Sequence, residues 1–374
     1  MPDIQILRHL DEVLDLRPEW EDLYRRAGSP HLFLAPAWIL NWWHAFGPSS
    51  PEIHLTTARS GGRLVGVAPL HRVRERHWRR WTPTLRLWAD VHANRSGVLV
   101  EPSVARETLQ AMAHALAEED SWRLAALSPL PLDAPDTLAL LEALRAAGLA
   151  VGVEPGFTSP FMTLAGGPRD AMETVSRSFA RNLRRKLNRA RREGCDVVRP
   201  PAEEALETAF RISRHSWQHQ NGTGLDTTPD SEAFFRGMVE DPWLRERLRI
   251  PILAQAGEPV AYEWNLASGD TLYNLKVGYH PDSAGLSPGL VLRHHTVAGA
   301  LARDFAEFDF LGSVEPYKMH WATGVRRHGT AFVFKPGLRS TLVHGLLYGL
   351  RPALKRSDAL VRAVRLLRGM DPSP

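Results

Sequence analysis

Hydrophobic and polar positions along the chain follow two periodicities. Apolar residues three or four apart predict amphipathic helices, and short apolar runs bounded by glycine, proline and polar turn residues predict strands. In the first part of the chain these patterns predict, in order, helices over 10–27 and 37–46, a hairpin of 52–58 with 63–73, a strand over 85–91, a helix over 103–117, a strand over 122–127 and a helix over 136–147.

The same order of elements recurs in the second part of the chain. The patterns there predict helices over 169–193, 203–220 and 231–240, a hairpin of 250–256 with 259–268, a strand over 271–279, a helix over 288–303 and a strand over 307–311. Helices, hairpin, strand, helix and strand thus appear twice, and a recurring order is the signature of repeated modules. Residues 152–168 are rich in Gly, Pro and Ser, and we interpret them as a linker.

These elements predict a mixed α/β fold of two tandem modules with mostly antiparallel central sheets. A chain of 374 residues exceeds the size of one ordinary core, which agrees with two modules. We place the modules at 1–155 and 156–337 and a basic, helical C-terminal tail at 338–374.

Composition bears on the compartment. No apolar run approaches the ~18 residues that span a bilayer. The N-terminal residues have neither the basic nor the apolar segment of a secretory signal. A single cysteine, Cys195, excludes an internal disulfide framework and suits a reducing environment. These features predict a cytoplasmic protein.

Several sequence motifs together resemble a known family. They are the segment Phe33-x-x-Pro-Ala-Trp38 with Trp42-Trp43, the arginine-rich helix Arg181–Arg192, the hairpin residues Pro259-Val260-Ala261, and Phe308-Asp309-Phe310 followed by Tyr317-Lys318-x-x-Trp321. The combination resembles the cellulose-biosynthesis-type (CelD/BcsL-like) branch of the GNAT acyltransferases, which has two GNAT modules in tandem. The resemblance covers roughly residues 5–335.

The resemblance implies an N-acyltransferase whose donor binds in the second module. The related Fem-type peptidyl transferases share the architecture but use an aminoacyl-tRNA donor, and a lysine after the strand that corresponds to 308–311 matters for their catalysis. That lysine maps onto Lys318. GNAT enzymes usually bind pyrophosphate with Gln/Arg-x-x-Gly-x-Gly/Ala, and here Ser287 stands in place of the middle glycine.

A polar stripe crosses the second hairpin. A two-residue turn at 269–270 would place Asn265 opposite Asn274 and Glu263 opposite Lys276. Side chains alternate between the two faces of a strand, so these four would share one face. We interpret that face as the lining of a cleft, in which Glu263 is a candidate base for the attacking amine. The alternative is a simple cross-strand ion pair.

The start of the helix over 288–303 is a candidate anion site, because the first N–H groups of a helix lack internal partners. The alternative is an ordinary helix start with Ser287 as its cap. The corresponding segment of the first module, 100–103, has no glycine and carries an acid, so we expect that module to be a degenerate scaffold or the acceptor-side wall. The candidate donor-binding residues are Gly285, Ser287, Gly289, Leu290 and Lys276.

The strand over 307–311 ends in a loop that carries Tyr317 and Lys318, and sites in α/β folds collect at strand ends. Lys318 would stabilise negative charge on the donor carbonyl or hold an anionic acceptor. The alternative is a solvated loop cation beside a packed tyrosine. Asp309 lies between two aromatic residues and is either a structural hydrogen-bond acceptor or part of the polar wall.

Positive charge is concentrated in two segments. The helix over 177–192 holds eight basic residues and no acid, which favours a polyanionic partner such as the phosphates of coenzyme A, a tRNA acceptor arm or a nucleotide-linked sugar. The basic, partly apolar tail 338–368 either lies on an anionic membrane or packs on the core. His215 and His219 lack a third ligand at zinc-like spacing, so no metal is predicted.

The sequence thus predicts transfer of an acyl group, most simply acetyl from acetyl-CoA, to an amine acceptor. The acceptor could be an amino sugar, an amino acid or a cell-envelope precursor. One alternative keeps the fold and uses aminoacyl-tRNA as the donor. Another is a non-enzymatic polyanion-binding module that uses the helix over 177–192.

Overall fold

The computed structural model describes residues 1–28, 30–48, 52–77, 80–89, 93–167, 170–216, 219, 222–337, 345 and 348. The chain forms two compact units. Unit 1 comprises Met1–Ile39, Pro48–Gly156 and the described residues from Arg327 onward. Unit 2 comprises Leu40–Gly47 and Phe157–Arg326.

The first half of the chain supplies most of unit 1. Its elements are β1 (Asp3–Leu7), α1 (Leu10–Asp15), α2 (Arg17–Arg26), α3 (Pro36–Phe46), β2 (Glu52–Ser60), β3 (Arg63–His77), β4 (Arg80–Leu87), β5 (Leu99–Val100), α4 (Ala105–Glu118), β6 (Leu124–Pro131), α5 (Pro135–Ala146) and β7 (Ala150–Thr163).

The second half supplies unit 2 and then returns to unit 1 within its last strand. Its elements are α6 (Arg177–Arg192), β8 (Cys195–Val198), α7 (Ala202–His215), α8 (Pro229–Glu240), α9 (Pro242–Arg247), β9 (Leu248–Arg249), β10 (Ile252–Gln255), β11 (Glu258–Ser268), β12 (Thr271–Tyr279), α10 (Pro288–Leu301), β13 (Glu307–Asp309), α11 (Pro316–Met319) and β14 (Gly324–Phe334).

The two units have the same arrangement of parallel and antiparallel strand pairs. In unit 1 the strand order is β1-β2-β3-β4-β6-β14, and β4 pairs with β6 in parallel. In unit 2 the order is β8-β10-β11-β12-β13-β7, and β12 pairs with β13 in parallel. The remaining pairs that these orders define are antiparallel within each unit. The predicted fold class, mixed α/β with mostly antiparallel sheets, is confirmed.

Helices cover both faces of the unit 2 sheet. On one face, Phe235 of α8 packs edge-to-face on Trp264 of β11, with ring centroids 5.1 Å apart. On the opposite face, Val297 of α10 packs in an apolar cluster with Leu272 of β12 and Phe308 of β13. The alternation along β11 and β12 therefore decides which helix each side chain meets.

Two of the predicted helices have different bounds in the structure. The predicted helix over 10–27 is two helices that meet at Leu16, with a proline in the first turn of α2. The predicted helix over 169–193 begins only at Arg177, because the Ser176 side chain caps it by accepting from the Phe179 N–H at 3.3 Å.

The interpretation of residues 152–168 as a linker was wrong, since Ala150–Thr163 form β7. Gly156, one of the glycines that suggested a linker, permits close packing instead. A Cβ on Gly156 would lie 3.3 Å from the His328 carbonyl oxygen, and a Cβ on Gly329 of β14 would overlap the Glu154 carbonyl oxygen.

The predicted tail helix over 338–368 lies outside the described residues, apart from positions 345 and 348. The Tyr348 hydroxyl donates to Glu154 Oε1 at 3.0 Å within unit 1. Among the helices of the described ranges, none is both long enough and apolar enough to cross a membrane.

Candidate active site

An opening between two parallel strands defines the candidate site. β12 pairs with β13 over only three residue pairs, from Thr271 with Glu307 to Tyr273 with Asp309. β13 ends there, while β12 continues to Tyr279. The chain turns away from β12 because Leu311 and Gly312 are both left-handed, at φ +52° and +58°. The site therefore begins at Asn274, where β12 loses this neighbour.

The register of the second hairpin differs from the prediction by one residue. Asn265 does face Asn274, but a β-bulge at Leu275 makes Lys276 face Trp264, and Glu263 faces Val277. The predicted pairing of Glu263 with Lys276 was therefore wrong. The extra residue reverses the alternation, so Lys276 lies on the Trp264 face of the sheet and Glu263 on the α10 face.

Glu263 pairs instead with an arginine of α10. Its Oε1 lies 2.8 Å from Arg293 Nε, and both side chains are almost completely buried. Neither carboxylate oxygen accepts a well-oriented hydrogen bond from any described residue. A buried carboxylate with unused acceptor capacity beside an opening is a candidate base.

A polar chain extends from this pair along the sheet. Arg293 Nη2 donates to Asn274 Oδ1 at 2.8 Å, and Asn274 Nδ2 donates to Asn265 Oδ1 at 2.8 Å. The Arg293 guanidinium also lies over the rings of Phe308 and Phe310, at 4.9 and 5.1 Å. These contacts fix the guanidinium and hence the carboxylate of Glu263 that it faces.

Lys318 is buried beneath the loop that follows β13. Its Nζ donates to the carbonyl oxygens of Leu311 and Ser313 at 3.0 and 3.1 Å, and lies 3.1 Å from Glu315 Oε2. An ammonium group has three N–H donors, and these three partners use them all. Burial lowers the pKa of Lys318; Glu315 opposes that shift and Arg293 adds to it. The contacts favour a lysine that holds the loop in place.

Tyr317 and Asp309 stand at the same loop. Burial, and then the Glu315 carboxylate, raise the pKa of Tyr317. Asp309 is fully buried, its Oδ1 accepts from the Leu311 N–H at 3.0 Å, and its Oδ2 accepts from Arg326 at 3.0 Å. These contacts support the structural alternative for Asp309, because the carboxylate sets the left-handed turn that ends β13.

Lys276 approaches the opening from the other face. Its Nζ donates to the Thr223 carbonyl oxygen at 3.0 Å. Burial lowers the pKa of Lys276, and the nearby charge of Lys318 lowers it further. The two ammonium groups thus lie close enough to repel each other, which places Lys276 near the loop after β13.

The start of α10 is unlike an ordinary capped helix. Ser287 is left-handed at φ +56°, and its side chain makes no capping hydrogen bond. The alternative of Ser287 as a side-chain cap is therefore wrong. Left-handed backbone is the conformation that glycine favours, so Ser287 adopts it at some cost in strain. Arg293 lies five residues after Pro288, about 7.5 Å along the helix axis.

Positive charge from α6 reaches this loop. A Cβ on Gly285 would lie 3.8 Å from Arg189 Nη2, so that guanidinium borders the turn before α10. The basic side chains of α6 are exposed except for the half-buried Lys186, while Phe179 and Leu183 bury the apolar seam. Such a surface suits a polyanion.

The structure brings Glu263, Lys276, Asp309, Tyr317 and Lys318 around one opening. Arg293 is the member that the sequence analysis missed. The signal was present, because Arg293 is the one Lys, Arg, Asp or Glu among residues 288–301. Its partner could not be chosen, because the bulge decides which strand residues face the helix. Within the described ranges, no group of three or more His, Cys, Asp or Glu residues could hold a metal ion.

Comparison with known proteins agrees with this geometry. Residues 177–319 match the family model described as an acetyltransferase (GNAT) domain. That match lies wholly within unit 2 and includes β12, α10 and β13. The topology and this match together define an acyltransferase-type fold, and the match supports an N-acyltransferase type of function. No curated protein sequence matches the chain significantly.

Three solved structures share the fold at low sequence identity. FemX is similar at a TM-score of 0.62 and 12% identity, over 87% of this chain and 98% of that one. The C-terminal domain of a proposed lysylphosphatidylglycerol synthetase from Agrobacterium fabrum gives 0.55 and 10%, over 97% and 100%. A conserved protein of unknown function from Bacteroides thetaiotaomicron gives 0.52 and 10%, over 90% and 100%.

Proposed function

We propose that unit 2 transfers an acyl group, most simply acetyl, from coenzyme A to an amine, with its reaction centre at the opening between β12 and β13. The observation that carries this proposal is the buried Glu263 carboxylate beside the opening, whose oxygens accept no well-oriented hydrogen bond from the described residues. Residues 177–319 match an acetyltransferase domain, and acyl transfer to an amine is a reaction in which such a carboxylate can act as the base.

The chemistry is a direct transfer. The amine nitrogen attacks the thioester carbonyl carbon and the carbon–sulfur bond breaks. Sulfur leaves as the thiolate and takes a proton from solvent, while the amine proton passes to Glu263 directly or through one water. Burial and the Glu193 carboxylate raise the pKa of Cys195, which disfavours a cysteine acyl intermediate. Backbone N–H groups along the edge of β12 beyond Tyr273 would face the developing oxyanion.

We assign the phosphates of the donor to the turn before α10. Gly285, Ser287, Gly289 and Leu290 would supply backbone contacts, and Arg189 would supply charge. Lys276 would meet the donor nearer the thioester. We assign Lys318 to holding the loop after β13, with Tyr317 at the entrance for the acceptor.

Finer assignments extend the same proposal. Unit 1 would be a degenerate GNAT-like module, and the protein would belong to the cellulose-biosynthesis-type branch and act in the cytoplasm. An amino sugar, an amino acid or a cell-envelope precursor would be the acceptor.

The decisive assay incubates the full chain with acetyl-CoA and a panel of such amines, and follows release of free coenzyme A together with the mass of the product. We expect Glu263→Gln to lower turnover at least about 100-fold, because a positioned base contributes about 10²–10⁴-fold. Glu101→Gln, at a buried carboxylate of unit 1, is the matched control and should leave turnover of the folded protein unchanged. Equal activity of both variants would refute the role of Glu263.

Two matched variants on α6 test donor binding. Arg189→Gln should weaken coenzyme A binding, measured by calorimetry, about tenfold, since a charge-assisted contact contributes about 1.5–3 kcal/mol. Arg184→Gln removes an exposed charge from the same helix and should change the affinity for coenzyme A little. Absence of coenzyme A binding by the wild-type chain would exclude this donor.

A second candidate uses aminoacyl-tRNA as the donor. The observation that favours it is the exposed basic face of α6, which is longer than a pyrophosphate requires. Binding of tRNA with a steep salt dependence, together with transfer of a labelled amino acid, would support this candidate. Polyanion binding without any transfer would instead favour the non-enzymatic module.

A further inference from the structure

A second cavity lies in unit 2, on the α10 face of the sheet but toward the end of the helix. It has a volume of about 220 Å³ and is bordered by β9, β11, β12 and the last two turns of α10. Its floor is mostly buried and apolar, and is formed by Leu248, Ile250, Pro251, Leu272 and Ala300. Two buried polar side chains, Asn265 and Thr296, interrupt this floor.

The rim of the cavity is basic. Arg199, Arg249 and Arg303 are exposed there, and His295 is half-buried beside them. Arg199 contacts His295, and Arg249 and Arg303 donate to backbone carbonyl oxygens. None of the three arginines forms an ion pair with an acid within the described ranges. Partial burial, followed by the repulsion of Arg303 and Arg247, lowers the pKa of Arg249, so the cluster is electrostatically unfavourable until an anion joins it.

A glycine keeps the centre of the rim open. A Cβ on Gly299 would lie 3.4 Å from Arg303 Nη1 and 4.0 Å from Arg199 Nη2. Two guanidinium groups from different elements thus converge on the one helical position without a side chain. Alanine stabilises a helix by about 1 kcal/mol relative to glycine. Gly299 therefore leaves space between the two cations but lowers the stability of the helix.

We propose that this cavity binds an amphipathic anion, namely a small organic carboxylate or phosphate monoester with a hydrocarbon body. The oxyanion would lie between Arg199 and Arg303 over Gly299, and the hydrocarbon would cover the apolar floor. This site is separate from the proposed donor site, which lies at the opposite end of α10, near Ser287.

The cavity also communicates with the candidate reaction centre. Asn265 lines the cavity, and its Nδ2 donates to the Arg249 carbonyl oxygen at 3.0 Å. The same side chain begins the chain through Asn274 to Arg293 and Glu263. An occupant that contacts Arg249 or Asn265 therefore touches the polar network that orients the carboxylate.

Calorimetry with four probes tests the site on the full chain: octanoate, octyl phosphate, inorganic phosphate and octanol. We expect at least one of the two amphipathic anions to bind at least tenfold more tightly than inorganic phosphate and octanol, and which one binds distinguishes the carboxylate from the phosphate source. Saturating coenzyme A should not displace it. Equal binding of inorganic phosphate, equal binding of octanol, no binding of either amphipathic anion, or displacement by coenzyme A would each overturn the proposal.

Variants locate the probe. Gly299→Leu fills the space between the cations and should abolish binding, while Arg199→Gln combined with Arg303→Gln should weaken it at least tenfold. Arg211→Gln, at an exposed arginine of α7, is the control for loss of a surface arginine and should bind as the wild type does. The thermal midpoint of each variant reports its folding, and the double arginine variant keeps the test valid if Gly299→Leu does not fold. Unchanged binding in a folded pocket variant would refute the location.

Discussion

The two units place a helix on corresponding strands but fill the interface differently. In unit 1, α4 packs on β2 and β3 so closely that a Cβ on Gly66 would lie 2.6 Å from Thr108 Cγ2. The cavity left there measures about 40 Å³, and its lining is apolar apart from Thr56. In unit 2, the corresponding helix α10 carries Arg293 over Glu263, and a cavity of about 220 Å³ lies beside it. One unit has a closed core where the other has polar groups and space.

The buried carboxylates of the two units show the same contrast. Glu101 of unit 1 precedes the first turn of α4 and is bound by Arg26, Arg63 and the Ser103 hydroxyl. These partners occupy the carboxylate oxygens of Glu101, which favours a structural role for that residue. Glu263 of unit 2 keeps unused acceptor capacity. A repeated topology therefore does not imply a repeated site, and the partners of each carboxylate decide whether its oxygens stay available.

The largest effect expected at a single residue comes from breaking the buried ion pair. Glu263→Leu should lower the free energy of unfolding by about 3–5 kcal/mol, because Arg293 stays buried without its counter-charge. Adding Arg293→Met should recover most of that loss. Urea unfolding measures both variants. Glu101→Gln should cost only about 1 kcal/mol, because its arginine partners reach solvent. A double variant as unstable as Glu263→Leu would contradict this account.

The next effect is an acid sensitivity that arises in unit 1. Burial lowers the pKa of His54 to about 4, against an opposing pull from Glu119, and burial lowers the pKa of His71 to about 4. The unfolded chain binds protons at these positions near pH 6.5. Stability from them is therefore complete above pH 6.5 and falls between pH 6.5 and 4, by about 3 kcal/mol for each histidine.

Guanidinium unfolding at pH 7 and at pH 4.5 measures this loss. Replacing His54 and His71 by glutamine should flatten the pH dependence. If the slope between these pH values is the same in the double variant, protonation of other groups causes it.

A pair of glycine substitutions sharpens the packing contrast. Gly66→Ala should cost about 1–3 kcal/mol, because its methyl group meets Thr108 and Met112 in a closed interface. Gly299→Ala meets only the ends of flexible arginines and should gain up to about 1 kcal/mol from helix propensity. Thermal denaturation compares the two variants. Equal costs would mean that the two helices pack alike.

The smallest expected effect is at the left-handed turn before α10. Ser287→Gly should raise stability by about 0.5–1 kcal/mol, because a left-handed non-glycine residue costs about 1–2 kcal/mol and glycine returns part of that in chain entropy. Chemical denaturation measures the change, and Ser287→Ala, which keeps the strain, is the control. A destabilised glycine variant would show that the serine side chain has a role of its own.

Local patterns predicted much of the fold. The strand over 271–279 was found with its exact ends, because residues 269–270 form a clear turn signal and the flanking positions alternate. β7 was missed because its partners lie far away in sequence and its glycines look like those of a linker. Pairing of this kind depends on long-range contacts that no local window contains.

The site was predicted less completely for a related reason. The residues around the opening were singled out, but the partner of Glu263 was not. From the sequence, either Leu275 or Lys276 could be the residue that faces Trp264. Nothing in the local pattern marks Leu275 as the unpaired residue of a bulge. Arg293 could be recognised only once the face of Glu263 was known.

The bulge makes the surroundings of Glu263 depend on the register of one strand. In an unbulged hairpin, Leu275 would face Trp264 and Lys276 would face Glu263 on the α10 side, where its ammonium group would neutralise the carboxylate and occupy its oxygens. With the bulge, the lysine and the carboxylate face opposite layers of the sheet. A one-residue shift in register thus separates a sheet stabilised by an internal cross-strand ion pair from one that leaves the carboxylate open, as the proposed reaction requires.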